Sequence, residues 1–248
     1  MQSAVSKVPA VTLVFWLIKI AATTLGETGG DAVSMSMDLG YLAGTAIFAV
    51  IFIAAVAAQI KAEGFNPWLY WLTIIATTTV GTTLADFADR SLGIGYTGGS
   101  SLLLVLLLLS FAAWYKTLGT VSIDSITTPK AEAFYWVTIM FSQTLGTALG
   151  DWMADDADLG YVGSIGVFGG ALLIIAALYY LTSISRTGLF WAAFVLTRPL
   201  GAVVGDFFDK PADKGGLEMD RFMASGLLAA FIIVCLLVFK QRAAEKAH

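Results

Sequence analysis

Histidine and cysteine are nearly absent from this chain of 248 residues, which holds one of each, His248 and Cys235. A lone cysteine permits no internal disulfide and no cysteine-rich metal cluster. A lone histidine at the last position withdraws the commonest general base and the usual ligand of softer metals. Charge is scarce as well: Asp, Glu, Lys and Arg make up 13% of the chain, roughly half the share of an ordinary soluble domain. The formal net charge of −4 excludes a basic nucleic-acid binder. No glycine-rich phosphate loop, Ser-His-Asp set or His/Cys metal-ligand spacing occurs, so nothing marks an enzyme and no cofactor is called for. The stretch 151–158 (DWMADDAD) is superficially like a calcium loop but lacks the required Gly and terminal Glu.

What is abundant is apolar. Hydrophobic residues make up 58% of the chain, and the mean hydropathy is +0.81. Runs such as 46–58, 102–114 and 227–239, with their flanks, are long enough to cross a bilayer. The chain therefore reads as a polytopic helical membrane protein whose first partner is the lipid bilayer. Lys7 ahead of the apolar stretch Val11–Ile18 is compatible with a signal peptide. Lys19, Glu27 and Asp31 follow in a pattern that recurs later, so this stretch reads as a true first helix.

That pattern is a fourfold internal repeat. Four segments begin with an aromatic–Trp pair: Phe15-Trp16, Tyr70-Trp71, Tyr135-Trp136 and Phe190-Trp191. Ten residues after each Trp stands a glycine (Gly26, Gly81, Gly146, Gly201), and fifteen after it an aspartate (Asp31, Asp86, Asp151, Asp206). Another glycine follows at Trp+24: Gly40, Gly95, Gly160 and Gly215. Each copy holds two apolar segments around a short acidic loop, which predicts a helical hairpin. The repeats run approximately 11–60, 66–115, 131–181 and 186–240 within a single membrane domain 1–248, and the halves 1–120 and 130–248 suggest two successive duplications.

The predicted fold is all-α, with eight transmembrane helices as four parallel hairpin repeats. Pseudo-twofold or pseudo-fourfold symmetry about the membrane normal follows, because every copy has an even number of spans. Eight basic residues at the termini and between copies (Lys246 among them), against four inside the hairpins, place both termini in the cytoplasm. Fourteen of the eighteen acidic residues lie at or beyond the hairpin ends. That asymmetry is either a plain solvated face or a vestibule that concentrates cations.

The aromatic–Trp pairs are expected to anchor the helix starts at the bilayer interface. Glycine or alanine at Trp+10 and Trp+14 makes small-xxx-small spacing in all copies, which predicts close helix packing. Trp+8, +11 and +15 fall on one helical face. They read Thr24, Glu27, Asp31; Thr79, Thr82, Asp86; Thr144, Thr147, Asp151; and Pro199, Ala202, Asp206. Lys19 also sits deep in the first helix. Ionised groups at membrane depth cost several kcal/mol unless they face protein or water, so the stripe is expected to line the bundle interior. Carboxylates at helix C-termini are opposed by the helix dipole, and a repeated one asks for a cation or a basic partner. In the fourth copy Arg198-Pro199 replaces the polar pair. Arg198 is expected to pair with Glu27 or an aspartate, and Pro199 to kink its helix.

The motifs TLGETGGD (24–31), TVGTTLAD (79–86), TLGTALGD (144–151) and PLGAVVGD (199–206) resemble those of a bacterial family of integral membrane proteins built from two-helix repeats of unknown function. The resemblance implies this architecture and the bacterial inner membrane, and supplies no activity. Function therefore rests on the residues. The expectation is transport of a small cation, foremost a hard divalent metal ion, with export among the directions. Glu27, Asp31, Asp86, Asp151 and Asp206 would be the metal ligands. Thr24, Thr79, Thr82, Thr144 and Thr147 would line the path, with Lys19 and Arg198 as counter-charges. A cation channel, an organic-cation transporter and a non-transporting scaffold or sensor are the alternatives, and a homo-oligomer is compatible with each.

Overall fold

The computed structural model describes residues 6–245, so Lys246 and His248 lie outside it. It is 80% helical, with no strand among the described residues. Eight α-helices follow one another: α1 Leu13–Asp31, α2 Gly40–Lys61, α3 Pro67–Asp86, α4 Tyr96–Leu118, α5 Pro129–Asp151, α6 Gly160–Leu181, α7 Arg186–Asp209 and α8 Arg221–Val238. Each odd helix starts on a side-chain cap that accepts a backbone N–H: Thr12, Asn66, Thr128 and Ser185. Pro67 and Pro129 add preset φ angles to the first turns of α3 and α5. The four glycines at Trp+24 all have positive φ, from +62° to +85°, a conformation that glycine adopts without strain. This accounts for their repetition.

The odd helices form a closed inner ring in which α1 packs on α3, α3 on α5, α5 on α7 and α7 on α1. The glycines make this possible, and they meet their neighbours in cyclic order. Gly26 lies against Thr78, Gly81 against Gln143, Gly146 against Arg198 and Gly201 against Thr23, so each Trp+10 glycine faces the Trp+7 residue of the next copy. A methyl on Gly81 would stand 3.0 Å from the Gln143 carbonyl carbon, so the backbones touch here.

One layer nearer the helix starts, the aromatic pairs interlock in the same order. Phe15 packs on Trp71 (5.3 Å between ring centroids), Tyr70 on Trp136 (5.8 Å), Tyr135 on Trp191 (6.0 Å) and Phe190 on Trp16 (5.8 Å). Tyr70 and Tyr135 hydroxyls share a 2.7 Å hydrogen bond. Except for half-buried Trp16, these rings are buried. They form a plug across one end of the ring rather than interfacial anchors, because the close backbone approach turns them inward against one another.

The even helices form an outer layer, and their partners differ from the hairpin expectation. α2 packs on α3, α4 on α5, α6 on α7 and α8 on α1, while the two helices of one copy scarcely touch. Every copy thus lends its second helix to the next copy. Five helices, α2, α4, α6, α7 and α8, are long and apolar enough to cross a membrane. α1, α3 and α5 fall short in apolarity because their Thr and acidic residues form the stripe described below. α7 continues unbroken through Pro199.

A strap at Ser6–Ala10 ties the plugged end together. The buried Lys7 ammonium meets Glu132 at 2.8 Å and donates to the Gln59 and Ile60 carbonyls. Ala10 N–H donates to the Arg242 carbonyl and Ala244 N–H to that of Val8. A lateral cleft of about 760 Å³ opens between α1, α6 and α7, walled by Trp16, Ile20, Leu172 and Phe190, and none of the stripe carboxylates line it.

Candidate functional site

Inside the ring the stripe is buried in all four copies: Thr24, Glu27, Asp31, Thr79, Thr82, Asp86, Thr144, Thr147, Asp151 and Asp206 are each at most 3% exposed. At the Trp+11 level one side chain reaches all the others. Arg198 Nη2 lies within hydrogen-bond distance of Glu27 Oε2 (2.9 Å), Thr82 Oγ1 (2.6 Å) and Thr147 Oγ1, among which its two N–H groups are shared. Thr82 in turn donates to Glu27 at 3.2 Å. Arg198 on α7 therefore touches α1, α3 and α5 at once, which puts its guanidinium on the axis of the ring. The fourth Trp+11 residue is Ala202, small enough to leave room for it. Arg198 and Glu27 side chains are 0% and 4% exposed.

One turn further along lie the four aspartates, gripped in alternate gaps by two basic residues. Arg90 stands between Asp86 (2.9 Å) and Asp151 (3.3 Å). Lys210 stands between Asp31 (2.6 Å) and Asp206 (3.1 Å). Burial opposes the charge on Lys210, yet Asp206 and Asp31 outweigh it and hold the ammonium well above the ordinary lysine range. Arg90 is held up in the same way by Asp86 and Asp151 against its burial. Arg221 adds a contact to Asp209 and a longer one to Asp31 at 3.9 Å. Three of the four aspartates end their α-helix and lead into a π-helical turn: Ala32–Ser36, Phe87–Ser91 and Trp152–Asp156. Such turns widen the helix locally and favour functional sites.

The carboxylates converge in three overlapping groups whose nearest oxygens lie within 4.8 Å of one another: Glu27, Asp31 and Asp86; Glu27, Asp151 and Asp206; Asp31, Asp206 and Asp209. Oxygen donors so arranged can hold a hard cation. Asp31 Oδ1 has no hydrogen-bond partner.

Other residues of the stripe are placed differently. Thr24, Thr79 and Thr144 turn their hydroxyls back onto carbonyls of their own helices, at 3.0, 2.8 and 2.9 Å. This is the usual way for threonine to settle in a helix, and it leaves them as packing groups beside the carboxylates. Lys19 stands apart from every carboxylate contact, with its ammonium 4.2 Å from the Phe194 ring centroid and no hydrogen-bond partner. Sequence reasoning passed over Arg90, Lys210 and Asp209. The signal was there, since Asp86/Arg90 and Asp206/Lys210 have the i,i+4 spacing that brings acid and base together on a helix.

A family model described as a Repeat of Unknown Function (DUF347) matches four times, at residues 14–65, 69–120, 134–185 and 189–243. The chain belongs to this family. Its four matched repeats begin at or within two residues of the aromatic–Trp pairs. No curated protein and no solved structure matches the chain.

Proposed function

We propose that this protein carries a cation across a bacterial inner membrane, foremost a hard divalent ion such as Mn²⁺ or Mg²⁺. All eight helices would span the bilayer, with the repeats related about the membrane normal and both termini in the cytoplasm. The shortfall of apolarity in α1, α3 and α5 fits this, because their polar residues point into the ring and the outer helices face lipid.

The observation that carries the reading is the convergence of buried carboxylates. Six of them (Glu27, Asp31, Asp86, Asp151, Asp206 and Asp209) face four basic residues (Arg90, Arg198, Lys210 and Arg221). The carboxylates thus outnumber the basic groups that touch them. All donors are oxygen, which suits a hard ion. Arg198 on the axis favours a carrier over an open channel, because a fixed guanidinium there repels a passing cation. The near-complete internal pairing favours a second reading, a static polar network in a non-transporting protein.

Flux in proteoliposomes separates these readings, with Mn²⁺, Mg²⁺, Ca²⁺ and K⁺ offered in turn, with and without a pH gradient. The carrier reading expects saturable flux of one divalent ion, lost in folded Asp31→Asn and Asp206→Asn proteins. Folded protein that moves none of the four ions overturns it.

A further inference from the structure

The residue at Trp+19, one turn beyond each aspartate, differs between copies: Met35, Arg90, Asp155 and Lys210. The two basic ones act alike. Arg90 joins the aspartate of its own copy to that of the third, and Lys210 joins its own to that of the first. Each therefore closes the seam between its inner helix and the next. The two remaining seams carry no such bridge. They are the ones where Asp31 meets Asp86 and where Asp151 meets Asp206, and each pair shares a group with Glu27. The ring of four is thus divided into two bridged seams and two open ones, alternating.

We infer that Arg90 and Lys210 are resident stand-ins for the cargo, which exclude cations from two seams and leave the Asp31–Asp86 and Asp151–Asp206 seams as the cation-accepting ones. This deepens the transport reading above and rests on it. A guanidinium or ammonium within about 3 Å of two carboxylates supplies the charge a metal ion would supply. A second cation at a bridged seam would meet that resident positive charge, and at the Lys210 seam the further carboxylate, Asp209, is itself paired with Arg221. At the open seams Met35 is half-buried and uncharged, and Asp155 is exposed and adds negative charge at the mouth.

The test adds and removes bridges in the purified full chain, with Mn²⁺ as the probe and free Mn²⁺ read by its EPR signal. Met35→Lys and Asp155→Lys place a base at the equivalent position of each open seam, on residues outside the proposed ligands. Each is expected to weaken Mn²⁺ binding roughly tenfold. Met37→Lys, an exposed position two residues on, is expected to leave binding unchanged, which separates bridging from a general change of charge. Arg90→Gln and Lys210→Gln are expected to strengthen binding, and Arg90→Lys to behave as the native protein. Should the Gln proteins not fold, the Lys substitutions at Met35 and Asp155 decide alone. The inference is overturned if native protein binds Mn²⁺ while Met35→Lys and Met37→Lys are indistinguishable. If native protein and all variants fail to bind Mn²⁺ and native protein moves none of the four ions, the transport reading itself falls and takes this one with it.

Discussion

Arg198 and Glu27 meet 2.9 Å apart on the axis of the inner ring, both removed from solvent. A buried pair of this kind is costly to form, and costlier to break from one side. Arg198→Met is expected to destabilise the protein by about 3–5 kcal/mol, because it strands the Glu27 carboxylate. Glu27→Gln combined with Arg198→Met should recover a large part of that loss. Thermal melting of both singles and the double in detergent checks this, and strictly additive effects would contradict a coupled pair.

The ring glycines predict a contrast between positions of the same residue type. Gly201→Ala drives a methyl into the Thr23 side chain and to 2.9 Å from its backbone, and should cost about 1–3 kcal/mol by overpacking. Gly170→Ala in α6 meets nothing within 4 Å. There the loss of unfolded-chain freedom should leave the protein neutral or about 0.4–1 kcal/mol more stable. Equal effects at the two sites would argue against close approach of α1 and α7.

Trp71, Trp114 and Trp136 are at most 2% exposed, whereas Trp68 at the start of α3 is 46% exposed. Brominated lipid should therefore quench only a minor share of the tryptophan fluorescence, and Trp68→Phe should remove a large part of what is quenched. Strong quenching that survives Trp68→Phe would return the aromatic–Trp pairs to the bilayer interface.

Lys210 is held above the ordinary lysine range by Asp206 and Asp31. A base raised in the folded state contributes stability below its ordinary value and loses it only as pH rises through the raised one. The difference in melting temperature between native and Lys210→Gln proteins should thus be constant from about pH 6 to about pH 10. A difference that vanishes by about pH 8 would mean that the bridge to Asp31 is not formed.

The inner ring was largely legible because its constraints are local and periodic. A glycine at Trp+10 and an aspartate at Trp+15 recur without a gap, and helical spacing alone puts Glu27, Thr82 and Thr147 on one level. The pairing of Arg198 with Glu27 was within reach for the same reason, since an arginine at that depth needs an acid. Partnerships between copies were not legible. Nothing in the period says whether α2 covers α1 or α3, because an outer helix that is apolar all round carries no face to read. Arg90 and Lys210 were hidden by their position, in segments that read as loops, where charge is ordinarily solvated. The aromatic pairs misled because Trp and Tyr at a helix start suit the bilayer interface as well as they suit a packed plug.

The forward loan of each second helix has a consequence for how the protein is made. α1, with Lys19 and Glu27 on it, is covered on its outer side by α8 and closed on the ring by α7. As the chain emerges in order, its earliest inner helix waits for its latest neighbours. Until then its polar stripe lacks the partners that bury it in the finished ring. Cutting the chain before Arg221 should therefore harm the first copy as much as the fourth, and a separately supplied α8 should be able to repair it.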